Sequence, residues 1–274
     1  MTKLLICGSA AAEAVPGIFC TCPLCLKALK EGGKDVRSRT AYQLGEEIRI
    51  DCGPDMFYHI VKYGLRFDRL KELVFTHNHW DHFCPEALVL RRPGMSKVPE
   101  DSRLRVIGSP VVLDAVREKA NPEKCRLSLE AVEHGSRVML HGDVELTALR
   151  ANHGAPESLF YAFRTKDYSL LIANDTGWFP DESWDLLKNF SFDAVIADCC
   201  FMHWDQGKGH LGGETFIKVF DELRKLGALK EKACLVANHF SHNPNLSHDE
   251  LCAWLNPAGI EVGFDGMEIG LGAN

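Results

Sequence analysis

Short apolar runs alternate with amphipathic stretches along the whole 274-residue chain. Apolar runs bounded by turn-forming residues predict strands over 3–7, 47–50, 73–75, 104–107, 144–149, 159–164, 169–173, 194–197, 234–237, 260–264 and 267–271. Helical spacing predicts helices over 55–63, 110–119, 180–187, 214–226 and 247–255. In 214–226, Phe216, Val219, Phe220 and Leu223 recur on one helical face. Pro110 and Pro180 suit first helical turns, where the missing N–H removes no helical bond. Asp265-Gly266, between the last two apolar runs, predicts a two-residue hairpin. No repeat, low-complexity tract or long linker interrupts the alternation, so the expectation is a sheet-rich α/β fold in a single domain, 1–274.

Composition narrows the class. Hydrophobic residues make up 46% and charged residues 25%, enough apolar content to bury a core without disulfides and too much for wholesale disorder. The 31 Lys and Arg against 38 Asp and Glu leave a formal charge of −7, which counts against a general nucleic-acid binder. The opening residues Met1 to Gly8 hold no signal-peptide core, and no window approaches the roughly 18 apolar residues of a membrane span. A cytoplasmic protein with no membrane partner is therefore expected. In that reducing compartment, clustered members of the 11 Cys and 12 His point to metal rather than to disulfides.

The densest cluster follows the run 73–75: Thr76-His77-Asn78-His79-Trp80-Asp81-His82. A strand end opening into a loop can aim several side chains at one point. Imidazoles at 77 and 79 share a side of an extended chain, and Asp81 and His82 can turn toward a neighbouring position. Imidazole and carboxylate are donors that Zn²⁺ and Mn²⁺ accept. His153, Asp175 and His239 each stand just after a later apolar run; taken singly, each reads more readily as a cap or turn residue than as a ligand.

The spacing H-x-H-x-D-H resembles the signature of the metallo-β-lactamase superfamily. That resemblance implies an αββα sandwich with a metal site along one edge. It also implies that His77, His79 and His153 hold one divalent ion, that Asp81, His82 and His239 hold a second, and that Asp175 bridges them. Two such ions, Mn²⁺ or Zn²⁺, can share a hydroxide and clamp a phosphoryl or carbonyl centre.

A second cluster, Cys20-Thr21-Cys22-Pro23-Leu24-Cys25, offers three thiols in a compact hook that lacks a fourth ligand. From the residues alone it is a metal knuckle, a redox cluster or a set of unpaired thiols. It is similar to a loop in the PhnP-type phosphodiesterases of the carbon–phosphorus lyase pathway of phosphonate metabolism. There a C-x-C-x-x-C loop and a His in an H-x-S-H segment hold a structural zinc, which implies Cys20, Cys22, Cys25 and His242 here. Cys199 and Cys200 read as small hydrophobes at a strand end, and the remaining cysteines show no ligand spacing.

The similarity to that branch extends to Gly8-Ser9, to Val15-Pro16-Gly17 and to the stretch from Gly259 to Ile269, although Ala10, Ala11 and Ala12 replace the usual glycines. It implies a small phosphodiester substrate, a cyclic ribose phosphate among them, and suggests a homodimer. It also places His210, within Gly207-Lys208-Gly209-His210, where it can protonate the leaving oxygen. His210 and Asp81 are accordingly the residues assigned to catalysis, and imidazole titrates in a range suited to the first role. Lys208, Arg37 and Arg39 are further candidates for phosphate contact. Rival readings are an RNA-processing endonuclease, a lactone or thioester hydrolase, and a non-catalytic metal-binding relative. The acidic charge and the lack of an RNA-gripping arm count against the first, and a nucleic-acid partner is not expected.

Overall fold

The computed structural model describes residues 2–205 and 207–272. One sheet carries β1 (Thr2–Gly8), β2 (Ala41–Leu44), β3 (Ile48–Ile50), β4 (Glu72–Val74), β5 (Leu104–Gly108) and β6 (Leu127–Ala131) side by side in that order. The second carries β7 (Arg137–Leu140), β8 (Val144–Arg150), β9 (Leu159–Arg164), β10 (Ser169–Ala173), β11 (Phe192–Asp198), β12 (Leu229–Asn238) and β13 (Glu261–Val262), again in sequence order. The final strand, β14 (Glu268–Leu271), returns to the first sheet and pairs antiparallel with β1. Each sheet is part antiparallel and part parallel: β3 to β6 run parallel, as do β10 to β13.

The parallel halves need crossovers, and helices supply them. They are α2 (Met56–Tyr63), α3 (Pro110–Lys119), α4 (Asp181–Leu187), α5 (Gly213–Lys225) and α6 (His248–Leu255), with a 3₁₀ segment (Pro85–Arg91) between β4 and β5, whereas α1 (Pro23–Glu31) lies between the antiparallel β1 and β2. The continuous apolar runs of β10 and β11 reflect burial on both faces. Leu170, Ile172, Ala194 and Ile196 point between the sheets, where they meet Ile6, Ile50, Val74 and Ile107. Their alternates Leu171, Ala173, Val195 and Ala197 point outward and pack against Trp184, Phe216, Phe220 and Leu251. A third cluster seats Val112, Leu113 and Val116 of α3 on Leu73, Leu104 and Val106. The result is the expected αββα sandwich.

Several local expectations change. The run 260–264 and the run 267–271 are not a hairpin, because β13 pairs with β12 in the second sheet and β14 with β1 in the first. Asp265-Gly266 instead carries the chain across the sandwich edge, with the Asp265 carboxylate accepting from the backbone and hydroxyl of both Ser9 and Ser38. Strands β2, β6 and β7 and helix α1 were not foreseen. Beside them, α1 starts inside the cysteine cluster with Pro23 in its first turn and Cys22 as its cap.

Candidate metal centres and active site

The strand ends converge at one edge of the sandwich. The loop after β4 is held in three ways. Asp51, at the end of β3, accepts from the Thr76 backbone at 2.9 Å and from its hydroxyl. His82 and Phe83 donate back to the His79 carbonyl, closing a turn. Cys52 donates to the His82 carbonyl at 2.8 Å. This approach requires glycine at 53, where a Cβ would stand 1.8 Å from the Asp81 carbonyl oxygen. Two ties fix the loop to the opposite sheet: Leu159 donates to Thr76, and the Tyr161 hydroxyl donates to Phe75 at 2.7 Å.

Within that frame the predicted ligands form two groups. His77 Nε2 and His153 Nε2 each lie 3.0 Å from His79 Nδ1. Two imidazole nitrogens bound to one ion at about 2.1 Å stand about 3.0 Å apart when they subtend a right angle. In the second group Asp175 Oδ2 lies 3.0 Å from His82 Nε2 and 3.1 Å from His239 Nε2, with Asp81 Oδ2 at 3.2 Å from His82 Nε2. The other oxygen of Asp175 faces the first group, 3.7 Å from His153 Nε2 and 4.0 Å from His77 Nε2. One carboxylate thus presents one oxygen to each triad.

The donor set fits divalent cations. Asp175 Oδ2, His82 Nε2 and His239 Nε2 are buried and make no hydrogen bond, although they converge on one point. Buried polar atoms are rarely left without partners, and a cation would satisfy all three. The second ring nitrogens explain the orientation: His77 Nδ1 meets Thr76 Oγ1 at 3.0 Å, His82 Nδ1 meets Asp51 at 2.7 Å, and His153 Nδ1 meets the Gly209 carbonyl at 2.9 Å. Such outer partners fix the tautomer and aim the free nitrogen inward.

Electrostatics agree. Burial holds His77 well below the ordinary imidazole range, and burial also lowers His79 and His239. Burial opposes charge on Asp81 too, but His82 outweighs it and holds that carboxyl down to about 2. Asp175 stays far below the usual carboxylate range, because His239 and His82 overcome its burial. His82 shifts upward, since Asp175 and Asp51 outweigh its desolvation. Neutral His77, His79 and His239 beside ionised Asp81 and Asp175 are what a cation site requires, whereas His82 must give up its Nε2 proton to serve as a ligand.

His210 stands over these groups. Its ring stacks on His239 with centroids 5.3 Å apart and meets His153 edge-on at 4.9 Å. Its Nδ1 lies 2.7 Å from Asp198 Oδ2. Burial alone would lower its pKa, but Asp198 lifts it to about 9. Asp198 is wholly buried, accepts from the backbone of Cys200 and Leu211, and sits 3.6 Å from His239 Nδ1. The loop carrying His210 is pressed in place at Gly177, where a Cβ would meet the Gly207 carbonyl oxygen at 2.3 Å.

The sequence reading missed Asp51 and Asp198. The signal was present, an acid directly after the apolar runs 47–50 and 194–197, and was applied only to Asp175. The proposed phosphate contacts of Arg37 and Arg39 need correction. Arg37 is buried, donating to the Leu246 carbonyl 3.2 Å away and standing 3.7 Å from Asp35. Arg39 is tied to Asp55 and to the Ala12 carbonyl. Lys208 is exposed beside the His210 loop.

The cysteine cluster also assembles. Cys20 Sγ and Cys22 Sγ lie 3.5 and 3.6 Å from His242 Nδ1, and all four donor atoms, Cys25 included, fall within 4.8 Å of one another. Sulfur at about 2.3 Å and nitrogen at about 2.05 Å from a tetrahedral zinc stand about 3.6 Å apart, so the cluster fits zinc. Burial pushes the Cys25 thiol up to about 12 even though the Gly17 amide donates to it. Among the described cysteines none is disulfide-bonded, and Cys199 and Cys200 are buried at the end of β11 as expected.

A two-sheet sandwich with paired His/Asp groups at one edge defines a metallo-β-lactamase-type hydrolase. The chain belongs to the β-lactamase superfamily: residues 46–236 match the β-lactamase superfamily domain. A curated relative is the exodeoxyribonuclease WalJ of Streptococcus pneumoniae, 23% identical over 212 residues, covering 72% of this chain and 74% of that one. Among solved structures, a diphosphatase of the PhnP family matches with a TM-score of 0.78 at 22% identity, over 100% of both chains. Zinc-bound PqqB from Methylobacterium extorquens matches with a TM-score of 0.72 at 14% identity, over 98% of this chain and 100% of that one. At these identities the solved structures establish the fold. Among the described residues no helix is long and apolar enough to cross a membrane.

Proposed function

We propose that the chain is a metal-dependent phosphodiesterase acting on a small phosphodiester, with a cyclic ribose phosphate as the substrate suggested by its PhnP-like motifs. The observation that carries this reading is His210, backed by Asp198 at 2.7 Å and poised over the paired donor groups. Thioester hydrolysis has less need of such an acid, because a thiolate leaves without protonation. Two divalent ions, Mn²⁺ or Zn²⁺, would supply an activated water and neutralise charge on the phosphate. His77, His79 and His153 would hold one, Asp81, His82 and His239 the other, and Asp175 would join them. Asp198 keeps the Nδ1 proton of His210 in place, so that Nε2 faces the site and can deliver its proton to the departing alkoxide. Cys20, Cys22, Cys25 and His242 would hold a structural zinc outside this centre.

The test is a screen of Mn²⁺- and Zn²⁺-loaded protein on a bis-aryl phosphate, a 2′,3′-cyclic nucleotide and a thioester. Diester cleavage lost in His79→Ala, together with bound catalytic metal, is the expected result. Activity confined to the thioester overturns the phosphodiesterase reading, and inactivity on all three substrates favours a metal-binding protein.

A further inference from the structure

Trp80 interrupts the ligand hexapeptide, directly between His79 and Asp81, and its indole is 58% exposed. One face of that indole is backed by the Arg39 guanidinium, 4.8 Å from the ring centroid. The guanidinium is itself immobile: Nε donates to the Ala12 carbonyl at 2.7 Å and Nη1 to both oxygens of Asp55 at 3.0 and 3.1 Å. A large aromatic is thus held rigid from behind and left open to solvent, on the same loop as the two metal-site residues that flank it in the chain.

The space beside it is a cleft of ≈ 460 Å³ between this loop and the N-terminal loop. Ile18 and Phe19 border it and are 73% and 98% exposed, and His242 of the cysteine cluster contributes to its wall. Among the described residues that line it no cation is free to serve an anion, since Asp55 neutralises Arg39. The polar group on the wall is an acceptor instead: Glu13, whose Oε1 receives hydrogen bonds from Ser241 and Asn243. Aromatic and apolar surface with a carboxylate suits a neutral ring carrying N–H groups, and disfavours a second phosphate.

We propose that Trp80 is a stacking platform for a nucleobase, so that the substrate at the adjacent centre is a base-bearing phosphodiester such as a cyclic nucleotide rather than a base-free sugar phosphate. This deepens the phosphodiesterase reading and rests on it for the position of the scissile phosphate. It also gives the cysteine cluster a second consequence, because the knuckle loop forms part of the base subsite.

Two measurements separate this inference from the reading beneath it. In the metal-loaded protein, Trp80→Ala is expected to raise KM for 2′,3′-cyclic AMP by roughly 5- to 150-fold, the equivalent of one stacked base, relative to any change on a base-free cyclic ribose phosphate. Trp80→Phe is expected to restore most of the difference. Independently of turnover, AMP should quench indole fluorescence in the wild type, and the part contributed by residue 80 should vanish in Trp80→Phe. Cleavage of both diesters with equal sensitivity to Trp80→Ala, or no quenching by AMP, overturns the base subsite while leaving the phosphodiesterase intact. Quenching by AMP without cleavage of any diester overturns the phosphodiesterase and retains the base subsite.

Discussion

The phenolic oxygen of Tyr42, on β2, lies 2.8 Å from the side-chain amide nitrogen of Asn238, at the end of β12. The amide of Asn174, at the end of β10, donates to the same oxygen. One hydroxyl from the first sheet therefore holds two asparagines of the second. Each precedes a residue of the second metal group, Asp175 and His239, whose φ values of 51° and 62° lie in the left-handed region. Non-glycine residues persist there only when their surroundings enforce it.

Tyr42→Phe removes that constraint without leaving a void. Two buried amides lose their acceptor, at a cost of about 1–3 kcal/mol for each. Urea unfolding should report that loss. Titration with Mn²⁺ or Zn²⁺ should show the second ion bound roughly 10- to 100-fold more weakly, as expected for a lost outer partner. An unchanged metal affinity would show that Tyr42 serves the core alone.

Asp198→Asn should reproduce most of the defect of His210→Ala. Both remove a correctly oriented acid, and each is expected to lower kcat by roughly 10²–10⁴. The double variant should be no worse than the weaker single one, because the two residues act as a unit. Additive losses would assign Asp198 a separate task, through His239 for example.

Cys22→Ser should lose one zinc per chain and lower the unfolding midpoint, while the catalytic pair still binds. Elemental analysis of the purified variant decides this. Loss of the catalytic ions with one zinc retained would overturn the division into two sites.

Acid stability carries a further prediction. His59 is buried between Arg49, 2.9 Å from its Nδ1, and Ser38, 2.8 Å from its Nε2. The Ser38 hydroxyl already donates to Asp265, so Nε2 carries the ring proton and Nδ1 accepts from Arg49. Burial, aided by Arg49, lowers its pKa to about 2. The unfolded chain therefore takes up a proton near pH 6.5 that the folded chain refuses. Stability from the neutral ring is fully present above pH 6.5 and declines as pH falls below it, by about 2 kcal/mol at pH 5. Unfolding free energies measured at pH 7 and pH 5 should differ by that much more in the wild type than in His59→Gln.

The sequence by itself determined the chemistry of both clusters. His77, His79, Asp81 and His82 are neighbours in the chain, as are Cys20, Cys22 and Cys25, so spacing alone gathers the donors of each cluster at one place. It also determined the layered fold, because runs such as 170–173 and 194–197 are apolar at every position and demand cover on both faces. Tertiary structure decided what depends on contacts distant in the chain. Whether Asp265-Gly266 turns a hairpin or crosses between sheets depends on which strand edge is open, and β1 and β12 lie in different sheets. Whether Arg39 meets phosphate or carboxylate depends on Asp55. Asp51 and Asp198 look like ordinary strand-end acids until His82 and His210 arrive 31 and 12 residues further along the chain. A hydrogen bond is directional and reaches about 3 Å, so those partners become definite only after packing has fixed the strand ends.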